Sequence, residues 1–304
     1  MSSKYTINII GYGFVGQSVG HLCKLNNIDF NIYDVLPKTD GKYFSSLTDM
    51  ITSSETSDNY NVYFICVPTP SKDNGNKDNN NGECDTSIVE NVIKELNNNV
   101  KKNSIVILKS TVTPGFSEKI NNTIDNTLIS YVFCPEFLRE ATYLKDVENA
   151  EFILIGCKNN ETDEIKTTLQ HIFNDMYKHK TKIECIFEYY TICELFKYTV
   201  NVFLAVKVWY FNEIDQICSS LGVEYQSLRN LFKLEQRIGE SHTQVPGPDG
   251  KRMFGGKCLP KETKGMFKLQ EKLNIPNSVF KEILKRNQQI RYNNYNDNEV
   301  DNEN

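Results

Sequence analysis

The spacing of apolar and polar positions divides the chain into two halves with different periods. In the first half, short apolar runs at 5–10, 29–33, 62–67, 104–109, 129–133 and 151–155 read as strands. The run Val62-Tyr63-Phe64-Ile65-Cys66-Val67 is almost continuously apolar, as expected of a parallel strand buried on both faces. Helices are predicted over 17–26, over 86–99 with Asp85 or Thr86 as N-cap, and over 161–175. Strands alternating with helices predict an α/β domain, a Rossmann-type doubly wound parallel sheet, over residues 1–186. The polar stretch 71–84, rich in Asn, Asp and Gly, is expected to be a solvated loop. From about 188 to 220 the period becomes helical with few interruptions. At about 1.5 Å per residue such a helix is a rod of roughly 50 Å, too long for one small core. It is expected to join the two domains and to bury its apolar sides in a homodimer. Helices at 224–233, 261–273 and 276–291 then make 187–291 a helical central domain. The polar, acidic tail 292–304 is expected to be disordered.

Candidate chemistry falls at the joints between these elements. The first strand runs directly into Gly11-Tyr12-Gly13-Phe14-Val15-Gly16 and then into a helix. Of the three glycines, Gly11 makes the turn, Gly13 clears space for a pyrophosphate, and Gly16 lets helix and strand pack closely. Asp34, eighteen residues after Gly16, ends the second strand and is placed to accept from ribose hydroxyls, which favours NAD over NADP. No arginine follows it, although Lys38 is near. Pro68-Thr69-Pro70, Ser110-Thr111 and Glu136 with Glu140 all lie at carboxyl ends of predicted strands, the edge where open α/β sheets bind ligands. On the long helix, Glu194, Lys197, Asn201, Ala205 and Val208 share one stripe. Polar groups buried there would need partners or a use, and the bland alternative is a surface Glu-to-Lys pair. Finally, Phe254-Gly255-Gly256-Lys257-Cys258-Leu259-Pro260-Lys261 reads as a Gly/Pro-rich turn that presents a thiol between two ammonium groups. Such surroundings favour the thiolate, whereas most lone cysteines are small core residues.

Composition narrows the class. The 304 residues carry a net charge of −5 with no dense basic cluster, so nucleic acid is not an expected partner. Nine scattered cysteines without a C-x-x-C pair argue against structural zinc and a disulfide framework. No apolar run reaches the ~18 residues of a membrane span, and the N-terminus carries no signal-peptide pattern. The chain is expected to be soluble and cytoplasmic, with no metal.

The stretches GYGFVG, VPTP, KSTVTPG, PEFLRE, ELFKYTVN, EQRIG and FGGKCLPKET, in this order over about 5–291, resemble the UDP-glucose 6-dehydrogenase family of nucleotide-sugar dehydrogenases. The resemblance implies NAD-dependent oxidation of the C6 alcohol of UDP-glucose to a carboxylate in two steps. It implies Cys258 as the nucleophile that forms a thioester, Glu140 as base for its hydrolysis, and Thr111 as a water-positioning group. Lys197 and Asn201 would stabilise oxyanion character at C6, and Glu262 stands where the family has a catalytic aspartate. The cofactor site would comprise Gly11, Gly13, Phe14, Val15, Gly16, Asp34, Thr69, Thr111 and Glu140. Substrate contacts would come from Glu136, Phe137, Leu138, Arg139, Lys197, Asn201, Phe254, Gly255 and Gly256, with Arg237 lent across a dimer. Cys134 and Ala141 replace an asparagine and a glycine around PEFLRE. Family members continue into a third domain that closes over UDP, and the present sequence stops before it. An NAD-binding, dimerising remnant, or a subunit completed by a partner, is therefore an alternative expectation. GDP-mannose and UDP-N-acetylmannosamine dehydrogenases share the chemistry, although EQRIG and CLPKET favour UDP-glucose.

Overall fold

The computed structural model describes residues 5–55, 60–72, 83–180, 182–276 and 278–292. Most of the predicted 71–84 loop (73–82) and the predicted disordered tail from 293 onward lie outside the described residues. Eight strands, β1 (Tyr5–Ile10), β2 (Phe30–Tyr33), β3 (Lys42–Phe44), β4 (Tyr60–Ile65), β5 (Ser104–Leu108), β6 (Ile129–Phe133), β7 (Phe152–Cys157) and β8 (Glu184–Tyr189), form one sheet. Their order is β3-β2-β1-β4-β5-β6-β7-β8. The first six neighbours are parallel, but β7 meets β6 antiparallel and β8 follows β7 in parallel. The expected wholly parallel sheet is thus mostly parallel, and β3 and β8 extend it beyond the predicted strands. Strand order reverses between β1 and β4, so the glycine turn after β1 and Pro68–Pro70 after β4 flank the crevice where such sheets bind ligands.

Residues of the central strands alternate between two cores. Ile7, Ile9, Val62, Phe64, Ile105 and Ile107 pack on one side with helices α1 (Phe14–Leu25) and α6 (Asp163–Met176). Tyr63, Ile65, Val106 and Leu108 pack on the other with α2 (Leu47–Glu55) and α3 (Ser87–Asn99). Burial of each such side chain contributes roughly 1.5–3 kcal/mol, and β4 and β5 are accordingly apolar except for the buried Asn61 and Ser104 near their starts. Two short helices, α4 (Phe116–Asn121) and α5 (Tyr143–Glu148), follow β5 and β6.

The described residues of 1–70 and 84–197 form one compact unit, and those of 71–83 and 198–292 a second. The long helix α7 (Tyr190–Ser220) runs from the first into the second. The second unit adds α8 (Tyr225–Phe232), α9 (Cys258–Lys272) and α10 (Val279–Tyr292). One of its cores joins Phe211, Cys218, Tyr225 and Phe232, and another joins Ala205, Phe254 and Ile283. Among the described residues, no helix is long and apolar enough to cross a membrane.

Candidate active site

The glycine turn has the geometry its three glycines predict. Gly11 has φ +85°, and a Cβ there would lie 2.9 Å from the backbone of Cys66 and Val67, so only glycine fits. At Gly16 a Cβ would come 2.1 Å from the Gly11 carbonyl, whereas Gly13 faces open space. Gly13 caps α1 without a side-chain hydrogen bond, which leaves the first-turn N–H groups to a ligand anion. Asp34 does more than predicted. Its Oδ2 accepts from the Tyr12 N–H at 2.6 Å and its Oδ1 from the Leu36 N–H at 2.9 Å, which ties the second strand's end to the turn. Lys38 lies 3.7 Å from the same carboxylate, so its charge is directed to Asp34. Each carboxylate oxygen keeps a further lone pair for a ribose hydroxyl. These residues fit a dinucleotide: an open glycine turn, an uncapped helix start and a fixed acid. Asp34→Ala is expected to weaken NAD about tenfold or more, the effect of losing a charged acceptor. Calorimetry showing unchanged affinity would remove Asp34 from the cofactor site.

The strand ends bring several predicted residues together. Thr69 Oγ1 donates to the Thr111 carbonyl at 2.7 Å, and Ser110 Oγ to the Val67 carbonyl at 2.7 Å, which joins the loops after β4 and β5. Cys84, expected in a solvated loop, is buried with its thiol 3.4 Å from the Thr111 carbonyl. In the turn after β6, Glu136 Oε1 receives the Lys197 ammonium at 3.1 Å, with both side chains buried. Lys197 also donates to the Glu136 carbonyl, and its Nζ stands 5.3 Å from the centre of the Phe137 ring. Glu136 Oε2 meanwhile accepts from the Leu138 N–H at 2.6 Å. Arg139 points its guanidinium at Asp146 of α5 and braces this turn. Glu140 is exposed at the turn's end.

In the second unit, Asn201 Nδ2 donates to Glu262 Oε2 at 2.8 Å, and both residues are buried. The carboxylate at 262, expected to work with Lys197, is thus paired with Asn201. Arg237 is exposed, and its guanidinium donates two hydrogen bonds to Glu235, at 2.8 and 2.9 Å. The Phe254 side chain is a core residue rather than a site-facing one, because it packs with Ala205 and Ile283. Cys258 is not in a loop: it is the first residue of α9, three residues earlier than the predicted helix start. Pro260 is tolerated in that first turn because its missing N–H would have no helical partner. Cys258 thus stands at the positive end of a helix dipole, between Lys257 and Lys261 in sequence. All nine cysteines are described and none forms a disulfide; eight are buried and Cys258 alone is half-buried. Burial pushes Cys23, Cys66, Cys185 and Cys193 up to about 12, so these thiols stay protonated.

Residues 34–177 match the NAD binding domain, and residues 191–289 the central domain, of the UDP-glucose/GDP-mannose dehydrogenase family. The chain belongs to this family. The match begins at Asp34, so the glycine turn stands on its own geometry. The chain is similar to the UDP-glucose 6-dehydrogenase of Rickettsia felis, with 30% identity over 76% of this chain and 48% of the relative. It is also similar to that of Rickettsia prowazekii, with 28% identity over 92% of this chain and 66% of the relative. This chain thus spans about half to two thirds of the length of these relatives. A solved UDP-glucose dehydrogenase from Pyrobaculum islandicum shares the fold at TM-score 0.76 and 24% identity, covering 94% of this chain and 68% of that one. As a member of the family, the chain has NAD as its cofactor.

One family-domain residue does something its sequence position does not announce. Glu194 and Lys197 are both buried, so the alternative of a surface pair between them does not hold. Glu194 Oε2 accepts from the Gly115 N–H at 2.6 Å and its Oε1 from the Ser117 N–H at 2.7 Å, so it caps α4 from α7. The signal available was its place on the polar stripe; the partner, 79 residues away, was not readable. Burial pushes this carboxyl up to about 7 from 4.5, despite the opposing Ser117 and Gly115 hydrogen bonds. The folded state therefore holds the proton where the unfolded chain has lost it. Stability is fullest below about 4.5 and falls as pH rises toward 7, by roughly 3 kcal/mol for a displacement of this size. Glu194→Gln is expected to flatten that slope in urea melts at pH 5 to 8. A slope that persists in the variant would assign it to other groups.

Proposed function

We propose that this chain carries the chemistry of a UDP-glucose 6-dehydrogenase: two-step oxidation of the sugar's C6 alcohol to the carboxylate. The observation that carries this reading is Cys258, the one half-buried thiol of nine, at the first turn of α9 with Glu262 one turn further on. The names of the relatives from both Rickettsia species support the substrate. NAD would supply the acceptor for one hydride at a time, so the two hydrides removed from C6 would be taken up by two NAD bound in succession. Lys197 and Asn201 stabilise negative charge on the C6 oxygen, since a buried ammonium and an amide donor act strongly in a dry site. The Cys258 thiolate adds to the aldehyde carbon, its sulfur bonding to C6 as the carbonyl oxygen takes up the electron pair. Loss of the second hydride leaves a thioester, which retains the intermediate on the protein. Glu140 takes a proton from the water that cleaves it, Thr111 positions that water, and the thiol leaves. Glu262 holds Asn201 in register through the hydrogen bond from its amide.

The exposed faces of Phe203, Tyr210 and Ile217, seven residues apart along α7, support a homodimer through this helix. Arg237, held away from its own unit's core on an exposed loop, suits the role of reaching a partner's substrate. The test is NADH formation by the purified chain with NAD and UDP-glucose, scored per sugar, with sedimentation mass in parallel. Two NADH per sugar from a species of twice 35.0 kDa is the expected result. No NADH with NAD still bound by calorimetry, or a faster reaction with GDP-mannose, would overturn it.

A further inference from the structure

The turn before Cys258 is gripped from α10, and we propose that Arg291 and Asn287 are positioning residues for the Cys258 thiol. The proposal rests on the reading of Cys258 as nucleophile and extends it to the residues that set where the thiol stands. Met253 has φ +65°, a left-handed conformation that a non-glycine residue adopts at a cost of about 1 kcal/mol or more. Hydrogen bonds hold it from both sides. Its N–H donates to Asn212 Oδ1 at 3.0 Å, and its carbonyl accepts from Arg291 Nη1 at 3.1 Å. The next residue, Phe254, donates its N–H to Asn287 Oδ1 at 2.9 Å. Arg291 Nη1 also reaches the Arg252 carbonyl at 3.1 Å, and its Nη2 pairs with Asp249. Asn212 and Asn287 are buried.

Gly255 explains why the clamp acts on the thiol as well as on the turn. A Cβ there would lie 2.0 Å from Arg291 Nη2 and 2.3 Å from Cζ. The first glycine of the pair thus lets the backbone lie against a guanidinium of its own chain. Gly256 turns the chain at φ +76° with open space around it, and α9 begins two residues later. Displacing the guanidinium therefore shifts the entry to α9 and the dipole environment of Cys258. Lysine cannot replace it, because an ammonium lacks the planar fork that serves two carbonyls and a carboxylate at once.

The test is the rate of Cys258 alkylation by iodoacetamide between pH 6 and 10, read by peptide mass spectrometry on the intact chain well below melting. It needs neither cofactor nor sugar, so its outcome is independent of whether the chain oxidises UDP-glucose. Arg291→Gln and Arg291→Lys are each expected to slow alkylation at neutral pH about tenfold and move the profile to higher pH, while the eight buried cysteines stay protected. Gly255→Ala should give the same loss alone, but add less than about twofold in the Arg291→Gln background, where the clashing group is gone. An unchanged Cys258 profile in a folded Arg291→Gln protein, or fully multiplicative effects of the two changes, would overturn the proposal. If Arg291→Gln exposes the buried cysteines, Asp249→Asn removes one partner of the clamp from the surface. It should slow Cys258 about threefold, and an unchanged rate there would equally overturn the proposal.

Discussion

Replacing Cys258 by serine is expected to abolish carboxylate formation, by about a thousandfold or more, while NAD affinity stays within about twofold. The size follows from the nucleophile. A serine hydroxyl at the same helix start remains protonated at neutral pH and is a far weaker nucleophile than a thiolate. The second hydride can then leave only from a hydrated aldehyde, without the enzyme-held adduct. The selectivity follows from location: the glycine turn and Asp34 belong to the first unit, and Cys258 to the second. Serine is also at home in the first turn of a helix, so the fold should tolerate the change. At most one NADH per sugar is expected from the variant in a single-turnover mixture, with the melting temperature unchanged. Two NADH per sugar would rule out the thioester route and leave Cys258 without the proposed role.

What could be read from the sequence was the chemistry whose constraints are local. The turn from Gly11 to Gly16 and the acid at Asp34 are separated by one helix, and Gly11 and Gly16 each have a steric reason that the spacing anticipates. The buried strand at 62–67 and the long helix α7 announce themselves by period. Elements too short to show a period were missed: the three residues of β3 and the six each of α4 and α5. In α2 the signal was present, with Leu47, Met50, Ile51 and Ser54 buried at spacings of three and four, but Thr and Ser between them obscured it. The reversal of β7 against β6 is a tertiary choice that no strand's own sequence encodes. Around Cys258, two glycines and a proline indicated a loop, although Pro260 is compatible with a helix's first turn and Gly255 answers to Arg291. The partners that give Glu194, Lys197 and Asn201 their surroundings lie 61 to 79 residues away. A stripe pattern can show that such side chains need partners, but not which ones.

Lys197 is where a structural demand and the proposed catalytic one meet, and Lys197→Met is expected to damage both. Its side chain is 3% exposed and that of Glu136 is 6% exposed. Deleting the ammonium leaves the Glu136 carboxylate buried without its cation, a change that costs about 3–5 kcal/mol. The same deletion removes a donor for the developing C6 oxyanion, worth a further 10²–10³-fold or so in turnover. The two losses can be separated with Glu136→Gln. In the double variant the neutral amide still accepts no full charge and needs no cation, so most of the lost stability should return in urea melts. Turnover should not, because methionine offers no donor to oxygen. The coupling between the two substitutions should therefore be large in stability and small in the rate of NADH formation. If turnover recovered together with stability, Lys197 would be a structural partner of Glu136 alone. The oxyanion role would then pass to Asn201, whose amide is already oriented by Glu262.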